Sequence, residues 1–253
     1  MSQLHSFSVL QALTMNRHLG SGSFQIPAAS FSVFSQLVII AWMPLYDRFI
    51  VPAARRMTKN GRGITVFHRM GIGYAISTLS MVVSGFIEVK RRNTALGHGL
   101  ANDSSAIVPI SALWLVPQFC IMGLGEAFHT VGHLEFFYAE FPPTMRSTAI
   151  ALSSCTSAVG QYMSTILLNV VHAKTGRHGK PDWLNDNLNL GRLNYLYWLL
   201  AAIEAVNLVY FIICASLYKY TEFPVQDPVF ESGAQEMESK LTQENEPVCK
   251  IAS

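Results

Sequence analysis

Glu126, His129 and His133 are the side chains of this sequence best placed to do chemistry. They lie in the second half of the run from Ile107 to Ser147, IVPISALWLVPQFCIMGLGEAFHTVGHLEFFYAEFPPTMRS, an apolar segment long enough to cross a bilayer. At about 100° per residue, steps of three and four place the three side chains within about 60° of one another, a single polar stripe on an apolar helix. Ionisable groups at membrane depth are costly, and they are kept where they face a bundle interior or a watery cavity. Two histidines four residues apart could also hold a metal on one helix face. The zinc-protease pattern needs Glu directly after the first His, and Thr130 stands there instead, so no metal is expected. No nucleophile–base pair or ligand set accompanies the stripe, so an enzyme is not expected, nor any cofactor.

The elements that position the stripe are apolar throughout. Of the 253 residues, 50% are hydrophobic and 13% charged, about half the charged share of an ordinary soluble domain. No Asp, Glu, Lys or Arg falls between Asp103 and Glu126, between Arg69 and Glu88, or between Arg146 and Lys174, and only Glu204 falls between Arg192 and Lys219. Each window can hold the roughly 20 residues of a spanning helix, so the chain is expected to be a multi-pass, all-α membrane protein partnered by the lipid bilayer. A net charge of +2, with its basic residues in loops, gives no reason to expect nucleic acid. The four cysteines show neither zinc nor disulfide spacing. No basic region precedes an apolar one at the start, so no cleavable signal peptide is expected.

In chain order, Leu4 to Met15 is too short to span and reads as the end of a helix, followed by a glycine-rich connector. Ala28 to Ala54 is a full span that Pro44 should bend. A basic connector follows, carrying Arg48, Arg55, Arg56, Lys59, Arg62 and Arg69. The second span, Ile64 to Glu88, has Gly73, Ser77, Ser80 and Ser84 at three- and four-residue spacing, which lets a neighbouring helix come close. Lys90 to Ala106 reads as a polar loop with a glycosylation sequon at Asn102. The third span is the central one. The fourth, Thr144 to Ala173, is rich in Ser and Thr, and the fifth, Leu193 to Tyr220, is framed by interfacial aromatics. From Thr221 onward the composition is acidic and polar, a disordered tail. Lys and Arg divide evenly between the two faces, so charge sets no orientation.

QALTMNRHLG with SFQIPAASF, then YDRFIVPAARR, GITVFHRMGIG, GEAFHTVGHLEFFYAEFPPTMRS and RLNYLYWLL, in that order, resemble the second half of the plant nitrate and peptide transporter family. These are proton-coupled members of the major facilitator superfamily, and the resemblance covers about residues 1–220. It implies the C-terminal half of a twelve-helix bundle, about five full transmembrane helices plus the end of a sixth, with a midplane substrate site between two halves. Residues 221–253 would then be an acidic cytoplasmic tail. The family's first-helix glutamate motif has no counterpart here.

What the resemblance implies for single residues is specific. Glu126 matches the glutamate that peptide-carrying relatives turn toward the substrate's amino group. With His129, His133 and Ser154, which replaces a bulky pocket aromatic of some relatives, it forms the expected substrate-binding set. Asp47 and Arg48 resemble the half-repeat's cytoplasmic gating signature. Glu135 and Glu140, near the cytoplasmic end of the central helix, are expected either as gating contacts with the Arg146 or Arg48 region or as simple solvated charges. Glu204 is unusual for the family and as readily pairs with a polar neighbour as touches substrate. The implied activity is proton-coupled transport of nitrate or nitrite, peptides or hormone-like organic anions across the plasma or vacuolar membrane. The implied partner is the missing N-terminal half, without which the chain is expected to be inactive. The alternatives are a short, non-transporting membrane protein that pairs with a full-length relative, or an incomplete gene model.

Overall fold

A computed structural model describes residues 2–18, 24–50, 52, 65–100, 103, 106–142, 145–175, 183–184 and 187–218. Among them are six α-helices: α1 (Ser2–Leu13), α2 (Ser32–Leu45), α3 (Val66–Gly97), α4 (Val116–Glu140), α5 (Arg146–Thr175) and α6 (Leu193–Leu217). Among the described residues three stretches are long and apolar enough to cross a membrane: Ala28–Ile50, Val66–Gly97 and Leu193–Leu217. At 25 and 30 residues, α4 and α5 have the length of the two remaining expected spans. Their apolarity is lower, diluted by the polar stripe in α4 and by the hydroxyl-bearing residues of α5.

Pro44 lies inside α2, which opens into a π-helical turn at Tyr46–Ile50 immediately after it. A proline removes one rung of the helical ladder, and a widened turn absorbs the mismatch. Of the basic connector, Arg55, Arg56, Lys59 and Arg62 lie outside the described residues, as does the acidic segment after Thr221.

Two boundaries differ from the sequence reading. α3 does not stop at Glu88 but continues through Lys90, Arg91 and Arg92 to Gly97, with Gly99 taking a positive φ of 69° just beyond. Lys, Arg and Leu are good helix formers, and nothing before Gly97 ends the helix. The central apolar stretch is not one helix from Ile107. Val108–Ser111 forms a short strand, β2, parallel to β1 (Met15–Asn16), with Val108 N donating to Thr14 O at 2.8 Å. A 3-10 turn at Ala112–Leu115 leads into α4, whose start carries Pro117, where a missing N–H costs nothing.

The core sits at the end of the bundle where α3 finishes and α4 and α6 begin. Met15, Phe31, Leu115, Phe119, Leu196 and Tyr197 are fully buried there. α4 packs between α3 and α2, and α6 packs chiefly on α3. The expected small-residue row on α3 is the contact surface: Ser77, Ser80 and Ser84 are buried, and Ser80 Oγ donates to Gln118 O at 3.3 Å. A Cβ added at Gly73 would lie 2.9 Å from His129 N, and one at Gly123 would lie 2.8 Å from Ser35 Cα. Backbones this close exclude any side chain at the crossing, so glycine holds α4 against α3 on one side and α2 on the other.

Candidate functional site

The polar stripe of α4 is positioned by these two glycine contacts. His129 leans into the seam with α3, where its ring lies 5.0 Å from that of Tyr74. His133 stacks on His129 at 5.5 Å and 20° and meets the edge of Phe137 at 4.9 Å. On its other side His133 Nδ1 is 3.2 Å from Ser153 Oγ, so α5 joins the site through Ser153 rather than Ser154, which is exposed. Glu126 is partly buried one turn away, within electrostatic reach of His129. The spacing of three and four thus gathers the three ionisable groups into one neighbourhood spanning α3, α4 and α5. The arrangement can hold protons and a charged solute group. Among the described residues no cluster of His, Cys, Asp or Glu is arranged for a metal ion.

Toward the far end of α4 a second polar group ties three helices together. Arg69 Nη1 donates to Glu135 Oε2 at 2.7 Å and Arg69 Nε donates to the Tyr46 hydroxyl at 3.0 Å, with the guanidinium 4.3 Å from the Tyr46 ring centre. Glu135 therefore pairs with Arg69 of α3, where the sequence reading looked to Arg146 or Arg48. Arg48 is exposed and Glu140 partly buried, while the side chains of Asp47 and Arg146 lie outside the described residues. Spacing within one helix gave no sign of Arg69, because the pair forms between α3 and α4.

A third cluster was missed by sequence reasoning altogether. Glu88 and Arg91, both fully buried, pair with Arg91 Nε to Glu88 Oε2 at 2.8 Å and Nη2 to Oε1 at 2.7 Å. Gln11 of α1 donates to Glu88 at 2.6 Å, and Arg91 donates on to Asn189 Oδ1 at 2.8 Å, Leu188 O at 2.9 Å and Thr14 Oγ1 at 3.2 Å. Tyr197 of α6 closes the network by donating to Gln11 Oε1 at 3.0 Å. The signal available in the sequence was the three-residue spacing of Glu88 and Arg91 on a helix that nothing terminates between them.

Residues 1–184 match the POT family. The chain is 50% identical over 226 residues to Protein NRT1/PTR FAMILY 3.1 of Arabidopsis thaliana, covering 89% of this chain and 37% of that protein. It is 46% identical over 223 residues to Protein NRT1/PTR FAMILY 2.13 of the same plant, covering 88% and 35%. Among solved structures it is similar to an auto-inhibited POT family peptide transporter, with a TM-score of 0.66 at 21% identity over 87% of this chain and 38% of that one. The chain therefore spans a little over a third of the length of these relatives. Long apolar helices, ionisable groups held inside their packing, and a family match that runs through residue 184 lead to one conclusion: this multi-pass membrane chain belongs to the POT family of transporters, that of the NRT1/PTR proteins.

Proposed function

We propose that this chain forms the C-terminal, substrate-facing part of a proton-coupled transporter of nitrate or nitrite, peptides or hormone-like organic anions, in the plasma or vacuolar membrane. The observation that carries the reading is Glu126, a carboxyl in the body of α4, beside His129 and His133 on a helix fixed from both sides. A carboxyl at membrane depth is retained for binding a proton or a cationic group rather than for stability. Ser153, which meets His133 from α5, and its exposed neighbour Ser154 are assigned to the solute surface. Asp47, Arg48, Glu140 and Arg146, with the Glu135–Arg69 pair, serve as gating contacts at the cytoplasmic end. Residues 221–253 serve as an acidic cytoplasmic tail.

The test is a chimera in which this chain replaces the matching segment of Protein NRT1/PTR FAMILY 3.1, expressed in oocytes. Uptake of nitrate, a dipeptide or an organic anion should rise as external pH falls. Glu126→Gln should lower it at least tenfold, equivalent to about 1.4 kcal/mol, with surface delivery unchanged. Unchanged uptake and unchanged pH dependence in that variant would defeat the assignment. Expressed by itself the 253-residue chain should give no uptake above water-injected cells, because the midplane site lies between two halves.

A further inference from the structure

Glu204 is the one Asp, Glu, Lys or Arg of α6 and takes no part in the stripe on α4. The seam that α6 makes with α3 is closed by aromatic contacts on both sides of it. Toward the start of α6, Trp198 meets Phe86 at 5.2 Å and lies 3.4 Å from where a Cβ would stand at Gly85. Toward its end, Phe211 meets Tyr74 at 5.0 Å. Glu204 lies seven residues before Phe211, two helical turns along the same face, and so inside that seam. Its Oε2 is buried and has no hydrogen-bond partner among the described residues.

The groups around Glu204 are few. On α3 the titratable side chain within its electrostatic reach is Tyr74. The other charged pair of that helix, Glu88 and Arg91, is engaged with itself. On α6 the remaining titratable groups toward the seam's far end, Tyr210 and Cys214, are exposed. From α4, His129 approaches with its ring 5.0 Å from that of Tyr74 and tilted 59° to it, and its Nδ1 is likewise buried without a partner among the described residues. Among the described residues no Lys or Arg forms an ion pair with Glu204. A bare carboxylate in such a place is costly by several kcal/mol, and the cost is removed by taking up a proton.

We propose that Glu204 is a second proton-binding residue, held in the α3–α6 seam apart from Glu126, with Tyr74 coupling it to the histidines of α4. The proton comes from water and leaves to water, so the site needs no co-reactant. It stands whether or not the transport reading holds, since it requires only that α3 and α6 cross a membrane.

The experiment uses the full 253-residue chain reconstituted in lipid, with infrared spectra recorded as pH is varied in H2O and D2O. The signal is the carbonyl stretch of a protonated carboxylic acid, recognised by its shift in D2O. One such signal should titrate, vanish in Glu204→Gln and persist in Glu126→Gln. In Tyr74→Phe, which keeps the ring and removes the hydroxyl, its midpoint should move by about one pH unit. Survival of every carboxyl signal in Glu204→Gln would overturn the proposal, and an unmoved midpoint in Tyr74→Phe would remove Tyr74 from the site. If Glu204→Gln does not reconstitute, Glu204→Asp serves instead: it keeps the acid on a shorter stem, and a band identical to that of the unmodified chain would overturn the assignment.

Discussion

Glu88 and Glu204 are both carboxylates set into the packing of α3 and α6, and the molecule treats them in opposite ways. Glu88 accepts from Gln11 and twice from Arg91, whose other N–H groups reach Thr14, Asn189 and Leu188, so every charge in that cluster is answered. Glu204 has a buried oxygen with no such donor among the described residues. A buried charge that is fully compensated holds segments in place and has nothing left to bind with. One that is not compensated is a cost to folding, kept where exchange of a proton or an ion is useful.

The contrast is broken most sharply at Arg91. Arg91→Ala leaves Glu88 charged and buried without its partner, a loss of about 3–5 kcal/mol. A strongly lowered midpoint of detergent unfolding, followed by tryptophan fluorescence, would register it. The double change Glu88→Leu with Arg91→Leu should recover most of the loss, since apolar residues of similar size replace a buried pair at little cost. If the single and double variants unfold alike, the cluster does not anchor α3 to α1 and α6.

Smaller effects sharpen the comparison. Gly123→Ala pushes a Cβ to 2.8 Å from Ser35 Cα, and the backbone must shift to make room. The expected cost is about 1–3 kcal/mol, read in the same unfolding assay; a neutral result would mean that α2 and α4 separate freely. Glu135→Gln removes the pair with Arg69, but Glu135 is 43% exposed, so the loss should stay below about 1 kcal/mol. Smallest of all is Glu204→Gln, which should leave the unfolding midpoint unchanged or slightly raised. A drop comparable to that of Arg91→Ala would show Glu204 to be structural after all.

Much of the architecture was legible because apolar length is a direct consequence of bilayer thickness: α3, α5 and α6 lie where the windows with at most one charge placed them. The close packing of α3 was legible too, from Gly73, Ser77, Ser80 and Ser84 at helical spacing. The run from Ile107 to Leu115 was not, since Val, Ile and Leu serve a strand and a helix equally well. Only its pairing with Met15–Asn16, ninety-odd residues earlier, decides between them. Pro117 was the local clue to where the helix begins. Within the site, same-helix neighbours such as Glu126, His129 and His133 could be read from spacing. Partners contributed by another helix, Tyr74, Ser153 and Arg69, could not, because helix-to-helix register is set by packing.

The 32 residues of α3 extend about 48 Å at 1.5 Å per residue, well beyond the roughly 30 Å of a hydrocarbon core. Its last three turns are polar and anchored by the Glu88 cluster to α1 and α6, so the surplus stands clear of the lipid as a braced post rather than a loose end. Such a helix meets thin and thick membranes alike by exposing more or less of that post, at little elastic cost to the lipid. Bilayer thickness by itself would then not sort this protein between one compartment's membrane and another's.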